Sequence, residues 1–497
     1  MRRSGHTLDW EIKPLPFKIY PALEPLRLPT DLPVLAADTF AALAPAPASA
    51  RAPVLDLERL AALLFFSAGV TRVKTYPGGG QIHFRAAAST GALYQTEAYV
   101  VAGDVAGLEA GVYHFNPGDF SLRRLRAGDF RGAVAVAAAD DAVAAEPASI
   151  ILSAIYWRNT WKYQARGYRH LFWDAGTLLA NLLAAARALD LPARLVTGFV
   201  DTQLGALLGL DPLKEAALVV APVGAAGRPA AAPPIVTTLT PEMIPLSSCE
   251  VDYPLLRQAY EDSSLDSEPE VEDWRERGVR QDQVLRHDTV VTQDLIPPER
   301  AAGRGLAETI AKRGSTRNFS GEAIPAGALS SALYHATRGF AADVPYGLVD
   351  LYINIHAVGG IEPGAYHYDR GSHGLRRLRA GDVRADSTFL CLEQPLGGMS
   401  SATVFFLADL TRVLERWGNR GYRLVNLEAG LIGGRLYLGA YGQRFGASGL
   451  TFYDRDVVEF FSPHAAGKDA VFVTALGRSA RAPGTPGDLI RVKGPSS

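Results

Sequence analysis

The chain has 497 residues, of which 48% are hydrophobic and 21% are charged, and its formal net charge is −2. A chain of this length and balance is typical of a globular protein with roughly two or three domains. The small net charge gives no reason to expect a nucleic-acid or anionic-membrane partner. The only cysteines, Cys249 and Cys391, predict neither a disulfide framework nor a zinc site, so we expect no metal and a reducing, cytoplasmic setting.

Residues 1–50 are rich in proline and alanine and predict an extended N-terminal arm. A first domain is predicted over 51–224, opening with a helix at 57–67 for which Asp56 is a suitable N-cap. A long helix at 174–189 belongs to the most apolar segment, but Asp174 and Arg187 interrupt that segment, so it predicts a buried helix and not a membrane span. Strands are predicted at 98–102, 111–115, 122–126, 193–199 and 216–223.

The middle and the end of the chain differ in composition from the first domain. Residues 225–300 contain an acidic stretch at 261–273, which predicts a solvated linker that need not be ordered. A second domain is predicted over 301–480, followed by a C-terminal tail at 481–497. Its helices are expected at 306–312, 326–337 and 421–438, and its strands at 351–357, 402–407 and 471–475.

The two domains are copies of each other. Leu122-Arg-Arg-Leu-Arg-Ala-Gly-Asp129 recurs at 375–382, an offset of 253 residues, and Arg166-Gly-Tyr-Arg169 recurs at 420–423, an offset of 254. A period this long does not describe a solenoid but two copies of one globular domain. We therefore predict an α+β fold in which the copies pack as a pseudo-dimer within one chain, with functional groups from each copy at their junction.

The second copy contains a candidate phosphate site just after the helix at 306–312. Arg313 and Arg317 lie four residues apart with Ser315 between them, and two guanidinium groups with a hydroxyl suit a phosphate. The alternative is a solvated helix end. No equivalent is found in the first copy, where the matching region is expected around residues 13–29.

The first copy contains a run of small residues, Ala88, Ser89, Thr90 and Gly91, whose backbone amides could approach a planar ligand closely. The alternative is an ordinary turn before the next strand. At the repeat offset, the second copy has residues 341–346, which lack the Ser-Thr-Gly sequence.

The first copy also contains the adjacent pair Lys162 and Tyr163. A nearby ammonium favours the phenolate, so it would lower the pKa of Tyr163 and make the pair suitable for acid–base chemistry. The alternative is that the two residues are neighbours without a shared role. The second copy has Arg416 and Trp417 instead, so each copy keeps a candidate site that the other lacks.

Taken together, these segments resemble the nitroreductase superfamily of flavin enzymes, and within it the azoline dehydrogenases of the SagB/ThcOx type. The resemblance rests on segments 63–69, 85–99, 111–129, 166–169, 174–181, 198–201, 208–211, 313–317 and 475–478. It implies one FMN between the copies. Its phosphate and ribityl chain would be held by Arg313, Ser315, Arg317 and Arg478, and its ring would be lined by the loop from Ala88 to Gly91. Ala88 stands where the family usually has proline.

The resemblance also implies the reaction. Lys162 and Tyr163 occupy the place of a Lys–Tyr pair that acts beside the flavin in oxidation of a thiazoline or oxazoline ring of a peptide to the aromatic azole. Two alternatives remain, an NAD(P)H-dependent nitro- or ene-reductase and a catalytically degenerate scaffold of a heterocycle-forming complex. The substrate peptide, the need for a cyclodehydratase partner and any further oligomerisation stay open.

Overall fold

The computed structural model describes residues 7–45, 52–76, 80–230, 232–280 and 293–480. The first half contains, in chain order, β1 (Pro25–Arg27), α1 (Thr39–Leu43), α2 (Leu57–Ala68), β2 (Val70–Thr75), β3 (Gln81–Arg85), β4 (Thr96–Ala102), β5 (Gly111–Asn116), β6 (Ser121–Ala127), α3 (Arg131–Ala138), β7 (Ala148–Ile155), α4 (Tyr156–Tyr163), α5 (Gly167–Ala188), α6 (Asp201–Leu208) and β8 (Glu215–Val223). Two helices follow between the halves, α7 (Pro254–Glu261) and α8 (Glu268–Arg280).

The second half repeats this order of elements. It contains β9 (Gln293–Asp294), α9 (Leu306–Lys312), β10 (Ile324–Pro325), α10 (Ala326–Thr337), β11 (Asp350–Ile355), β12 (Val358–Gly359), β13 (Gly364–Asp369), β14 (Gly374–Ala380), α11 (Arg384–Leu390), α12 (Pro395–Met399), β15 (Ala402–Ala408), α13 (Leu410–Trp417), α14 (Arg420–Gly442), β16 (Gly446–Gly449), α15 (Asp454–Phe461) and β17 (Asp469–Gly477).

Each half is built on an antiparallel sheet, and the two sheets have matching strand orders. The first is β1-β6-β5-β4-β7-β8, and the second is β9-β14-β13-β11-β15-β17-β16. The repeated octapeptide forms most of β6 and β14, and a register shift follows Val112 in one sheet and Ala365 in the other. The predicted α+β fold with two tandem domains is therefore confirmed.

The two halves meet where the long helices α5 and α14 cross. A Cβ atom on Gly176 would collide with the carbonyl oxygen of Leu427, and one on Gly430 would collide with the carbonyl oxygen of Trp173. The repeat offset of 254 relates Gly176 to Gly430 and Trp173 to Leu427, so the two contacts are related by a pseudo-two-fold axis. Glycine is required at both positions because the two helix backbones touch there. The predicted pseudo-dimer is confirmed. Among the described residues, no helix is long and apolar enough to cross a membrane.

The N-terminal arm takes part in both halves. Strand β1 pairs with β6 at the edge of the first sheet. In the same way, β9 pairs with β14 at the edge of the second sheet. The amide of Thr39 donates to the carbonyl of Arg304, and the amide of Leu306 donates to the carbonyl of Ala37, so Asp38 lies opposite Gly305. This pairing corrects the expected match of the phosphate segment to residues 13–29. At the offset of 267 that it defines, Arg313, Ser315 and Arg317 match Ala46, Ala48 and Ala50, which lie outside the described residues.

Two further segments differ from the expectation. The acidic stretch 261–273 is solvated along its acidic side chains, but it is ordered, because its second part forms the start of α8, on which Val271 and Trp274 are buried. These two apolar residues lie three positions apart on one face of the helix, while its acidic residues are exposed. The segment 193–199 forms only isolated bridges, such as that between Val196 and Val220, because part of it pairs with residue 342 of the other half.

Candidate functional site

The structure brings the phosphate segment of the second half onto the small-residue loop of the first half. Arg313 follows α9, and the loop follows β3. The guanidinium of Arg313 donates to three consecutive carbonyl oxygens, those of Arg85 (2.8 Å), Ala86 (2.7 Å) and Ala87 (3.0 Å). These charge-assisted hydrogen bonds fix the end of the loop against the partner half.

Asp174 of α5 anchors the same loop. Its carboxylate accepts the amide of Thr90 at 2.9 Å, the hydroxyl of Thr90 at 2.7 Å and the hydroxyl of Ser89, while the hydroxyl of Thr177 binds the carbonyl oxygen of Ala88 at 2.6 Å. Burial raises the pKa of Asp174 to about 6, although the hydrogen bonds oppose that rise. The side chains of Ser89 and Thr90 therefore shape the loop, and the backbone and Gly91 are left to face a ligand. In the sequence, Asp174 stands out only as an interruption of an apolar helix.

Gly91 lies directly against Tyr163. Its φ is +65°, a left-handed conformation that favours glycine, and an added Cβ would lie 2.9 Å from the Tyr163 hydroxyl. Tyr163 is the last residue of α4, the helix that directly follows β7. The end of this helix therefore meets the loop that follows β3. The structure thus places the hydroxyl of Tyr163 at the loop that the sequence resemblance assigns to the flavin ring.

The Nζ atom of Lys162 lies over the Tyr163 ring, 5.4 Å from its centroid. The predicted lowering of the tyrosine pKa is wrong. Burial and the nearby carboxylate of Asp174 raise the pKa of Tyr163 to about 12, and Arg317 only partly offsets this. The pKa of Lys162 is lowered instead, because the ammonium is half-buried and faces the cation of Arg317.

The remaining predicted phosphate ligands are Ser315, Arg317 and Arg478, and the structure does not bring the Arg478 side chain to the other two at this seam, the contact surface between the two halves. Arg317 is exposed, and the Ser315 hydroxyl lies 3.1 Å from that of Tyr437. The backbone carbonyl of Arg478 accepts the amide of Ser320 at 2.9 Å, so the end of β17 runs beside the phosphate segment. The side chain of Arg478 is exposed and donates to the carbonyl oxygen of Ala323 at 3.1 Å.

These donors fit the phosphate of the FMN that the resemblance implies. Arg317 comes from the second half and Lys162 from the first, and the cation of Arg317 adds to the effect of burial in lowering the pKa of Lys162. The exposed guanidinium of Arg317 could donate charge-assisted hydrogen bonds to a phosphate. The close approach of Gly91 to Tyr163 also leaves a backbone surface without side chains, which suits a flat ring.

The second seam, related by the pseudo-two-fold, is built differently. Glu428 accepts the amides of Gly347 and Leu348, each at 3.0 Å, as Asp174 accepts that of Thr90. The counterpart of the small-residue loop is therefore 346–348 and not the expected 341–346, because the second half has a shorter connection before its strand.

Helix α8 closes that second seam. The indole Nε1 of Trp274 donates to the carbonyl of Trp417 at 3.0 Å, and Trp417 is the residue that replaces Tyr163. The Trp274 ring packs on Gly198, where a Cβ atom would lie 2.7 Å from the indole. Arg275 donates to the carbonyl oxygens of Ala138 (2.7 Å) and Ala139 (3.0 Å), which holds the helix in place. The second seam is thus filled by protein.

Comparisons with known proteins agree with this architecture. Residues 51–225 match the profile of the nitroreductase family. A nitroreductase-type protein of Methanocaldococcus jannaschii is 32% identical over 171 residues, which cover 34% of this chain and 81% of that protein. The chain belongs to the nitroreductase family.

Two further relatives of this nitroreductase-family oxidoreductase are informative. The crystal structure of a nitroreductase-type protein from Anabaena variabilis covers 95% of both chains with a TM-score of 0.73 and 27% identity, so the tandem arrangement recurs there. The trifolitoxin-processing protein TfxB of Rhizobium leguminosarum is 29% identical over 174 residues, which cover 33% of this chain. That match spans 46% of TfxB, less than half its length.

Proposed function

We propose that this nitroreductase-family protein is an FMN-dependent dehydrogenase that oxidises thiazoline or oxazoline rings of a peptide to thiazoles or oxazoles. The observation that carries the proposal is the meeting of Arg313 and Arg317 from the second half with Gly91, Lys162 and Tyr163 from the first. The description of TfxB as a toxin-processing protein supports a peptide substrate.

The chain's own residues would hold FMN across the seam. Arg317 and Ser315 would bind the phosphate, with Arg478 at the neighbouring strand end, and the loop from Ala88 to Gly91 would support the ring. Bound FMN would supply a two-electron acceptor for hydride, with dioxygen as the final oxidant. A second flavin is not proposed for the second seam, because the buried Trp274 packs there against Trp417.

Lys162 and Tyr163 would remove the acidic ring proton of the azoline. Tyr163 has its hydroxyl at Gly91 but a raised pKa, so it is protonated near neutral pH. Burial and, to a smaller extent, the cation of Arg317 lower the pKa of Lys162 below its ordinary value, so its amine is the better base of the pair. We therefore assign proton removal to Lys162 acting with Tyr163, and loss of the two hydrogens makes the ring aromatic.

Purified wild-type protein should carry flavin, and Tyr163→Phe and Lys162→Ala should retain it. Because positioned acid–base groups contribute about 10²–10⁴-fold, both variants should lose azoline oxidation by that order when product is measured by mass spectrometry. The exposed Tyr76 provides a matched control, and Tyr76→Phe should keep full activity.

Other outcomes distinguish the alternatives. Full azoline oxidation by both variants would overturn the role of the pair. Rapid NADH-dependent reduction of a nitroarene, with no azoline oxidation by the wild type, would favour the nitro- or ene-reductase, which is supported by the descriptions of the Methanocaldococcus and Anabaena proteins. A folded protein that binds no flavin would favour the scaffold.

A further inference from the structure

A cluster of buried polar side chains lies behind Tyr163. Gln95, Asn159 and His170 are fully buried, and the His170 ring contacts the Tyr163 ring edge to face with the centroids 4.6 Å apart. The Nδ1 atom of His170 lies 2.9 Å from the Asn159 Oδ1, and the Gln95 Nε2 donates to the backbone carbonyl of His170 at 3.0 Å. The three residues therefore form one connected unit that supports the tyrosine.

The cluster is costly to the fold. Within the described part of the chain, the Gln95 Oε1, Asn159 Nδ2 and His170 Nε2 atoms are buried without a hydrogen-bond partner. Each buried, unsatisfied polar atom costs about 1–3 kcal/mol. Burial and the neighbouring cations of Arg166 and Arg169 lower the pKa of His170, so its imidazole is neutral. The hydrogen bond to Asn159 then assigns the proton to Nδ1 and leaves Nε2 as an acceptor.

The second half shows that the fold does not require this cluster. At the repeat offset of 254, Val413 and Leu424 take the places of Asn159 and His170, and both are buried and apolar. The match is supported by geometry. A Cβ atom on Gly167 would lie 2.9 Å from Asn159, and one on its counterpart Gly421 would lie 2.7 Å from Val413. This polar pair is thus present only in the half that carries Lys162 and Tyr163.

We propose that Gln95, Asn159 and His170 are positioning residues that hold Tyr163 in its place against Gly91. This inference rests on the proposed function, because it explains why the half with the tyrosine keeps costly polar groups. The hydrogen bond with Asn159 fixes the orientation of the His170 ring, Gln95 holds the His170 backbone, and the oriented ring packs against the tyrosine. An apolar replacement would pack the same space but would not fix the ring orientation.

The test is to convert the cluster into its counterpart with the double variant Asn159→Val/His170→Leu. The second half already packs these residue types, so the unfolding midpoint should be unchanged or higher than that of the wild type. FMN binding should be retained. Azoline turnover should fall by on the order of 100-fold in kcat, with KM changed by less than about threefold, because orientation and not substrate binding is lost.

A second readout does not depend on turnover. With a fluorinated tyrosine at position 163, the flavin-free wild type should give one narrow ¹⁹F resonance, and the double variant should give a broadened or split one. His170→Leu alone is measured in the same way, so that a folding failure of the double variant does not remove the test. As a control, Asn354→Val removes another buried amide, in the second half, and should change neither readout.

The outcomes separate the two proposals. A double variant with wild-type kcat and an unchanged ¹⁹F resonance would overturn the positioning role, even when Tyr163→Phe is inactive. A double variant with a lowered midpoint and an unchanged resonance would show that the cluster is structural. Full activity of Tyr163→Phe would instead overturn the proposed function.

Discussion

The two seams between the halves share the same arrangement of helices and loops, but different side chains line them. At the first seam, Arg313 of one half and Asp174 of the other fix a loop of small residues beside Lys162 and Tyr163. At the second, Glu428 fixes the equivalent loop, but Trp417 replaces the tyrosine and Trp274 of α8 fills the space. The carboxylate that anchors the loop is thus present at both seams, while the residues proposed to bind the flavin are found at the first.

The comparison shows which features belong to the fold and which belong to the site. The carboxylate that caps the loop amides recurs in both halves, so it is a structural element. Among the described residues, the Lys–Tyr pair, the glycine beside the tyrosine and the hydrogen-bonded His170–Asn159 pair are found at the first seam, and Arg416, Trp417, Leu424 and Val413 stand at the corresponding positions of the second.

Removal of the Trp274 side chain should have the largest effect on stability. The indole is 1% exposed, and truncating such a residue costs about 3–5 kcal/mol, so Trp274→Ala should lower the free energy of unfolding by that amount in denaturant titrations. Trp10 is 65% exposed, and Trp10→Ala should cost about 1 kcal/mol or less. The account would be contradicted if Trp274→Ala had wild-type stability or if the wild type bound flavin at both seams.

The loop anchors should give a smaller, pH-dependent effect. The Asp174 carboxyl of the unfolded chain releases its proton near the ordinary aspartate pKa of 3.8, whereas burial raises the folded pKa to about 6. Between these values the folded state binds more protons, so the stability that this group contributes falls as the pH rises. Relative to Asp174→Asn, the wild type should lose on the order of 2 kcal/mol between about pH 4 and pH 6.

Denaturant titrations at several pH values measure this difference. Burial also raises the pKa of Glu428. The wild type should therefore lose stability with rising pH relative to Glu428→Gln as well. If the stability of the wild type instead rose with pH relative to that of Asp174→Asn, the raised pKa of the buried Asp174 carboxyl would be refuted.

The smallest effect on stability is expected at Gly91. Gly91→Ala forces a left-handed alanine and brings a methyl group 2.9 Å from the Tyr163 hydroxyl, whereas Gly107, with φ +85°, has its nearest neighbour at 3.5 Å. Both substitutions should cost about 1 kcal/mol in thermal unfolding. Only Gly91→Ala should also lower turnover, by on the order of 10-fold, because it displaces the tyrosine. Equal activity of the two variants would argue against a role for this contact.

The sequence predicted the elements that depend on local periodicity. The helices at 306–312 and 326–337 match α9 and α10, and the Asp56 cap is observed on α2, because spacing and capping are local signals. Helix α8 was missed because its acidic composition hides the two buried residues. Strand β7 was missed although β4 and β8, which are equally buried, were predicted.

The candidate site was also predicted only in part, because some of its features are local in the sequence and others depend on contacts between distant residues. The repeat exposed the asymmetry of Lys162 and Tyr163, and the segment from Arg313 to Arg317 could be recognised from its spacing. The role of Asp174 depends on contacts with Thr90, 84 residues away, which no local pattern shows. The pKa of Tyr163 was predicted in the wrong direction because burial, which a sequence does not reveal, outweighs the adjacent charge.

The most direct test of the central claim is an equilibrium titration of the flavin-free protein with FMN and with riboflavin, which lacks the phosphate. We predict one FMN per chain, a strong preference for FMN over riboflavin, and loss of most of that preference in Arg317→Ala. Two flavins per chain, or a preference for FMN that Arg317→Ala leaves unchanged, would contradict a single phosphate held across the first seam.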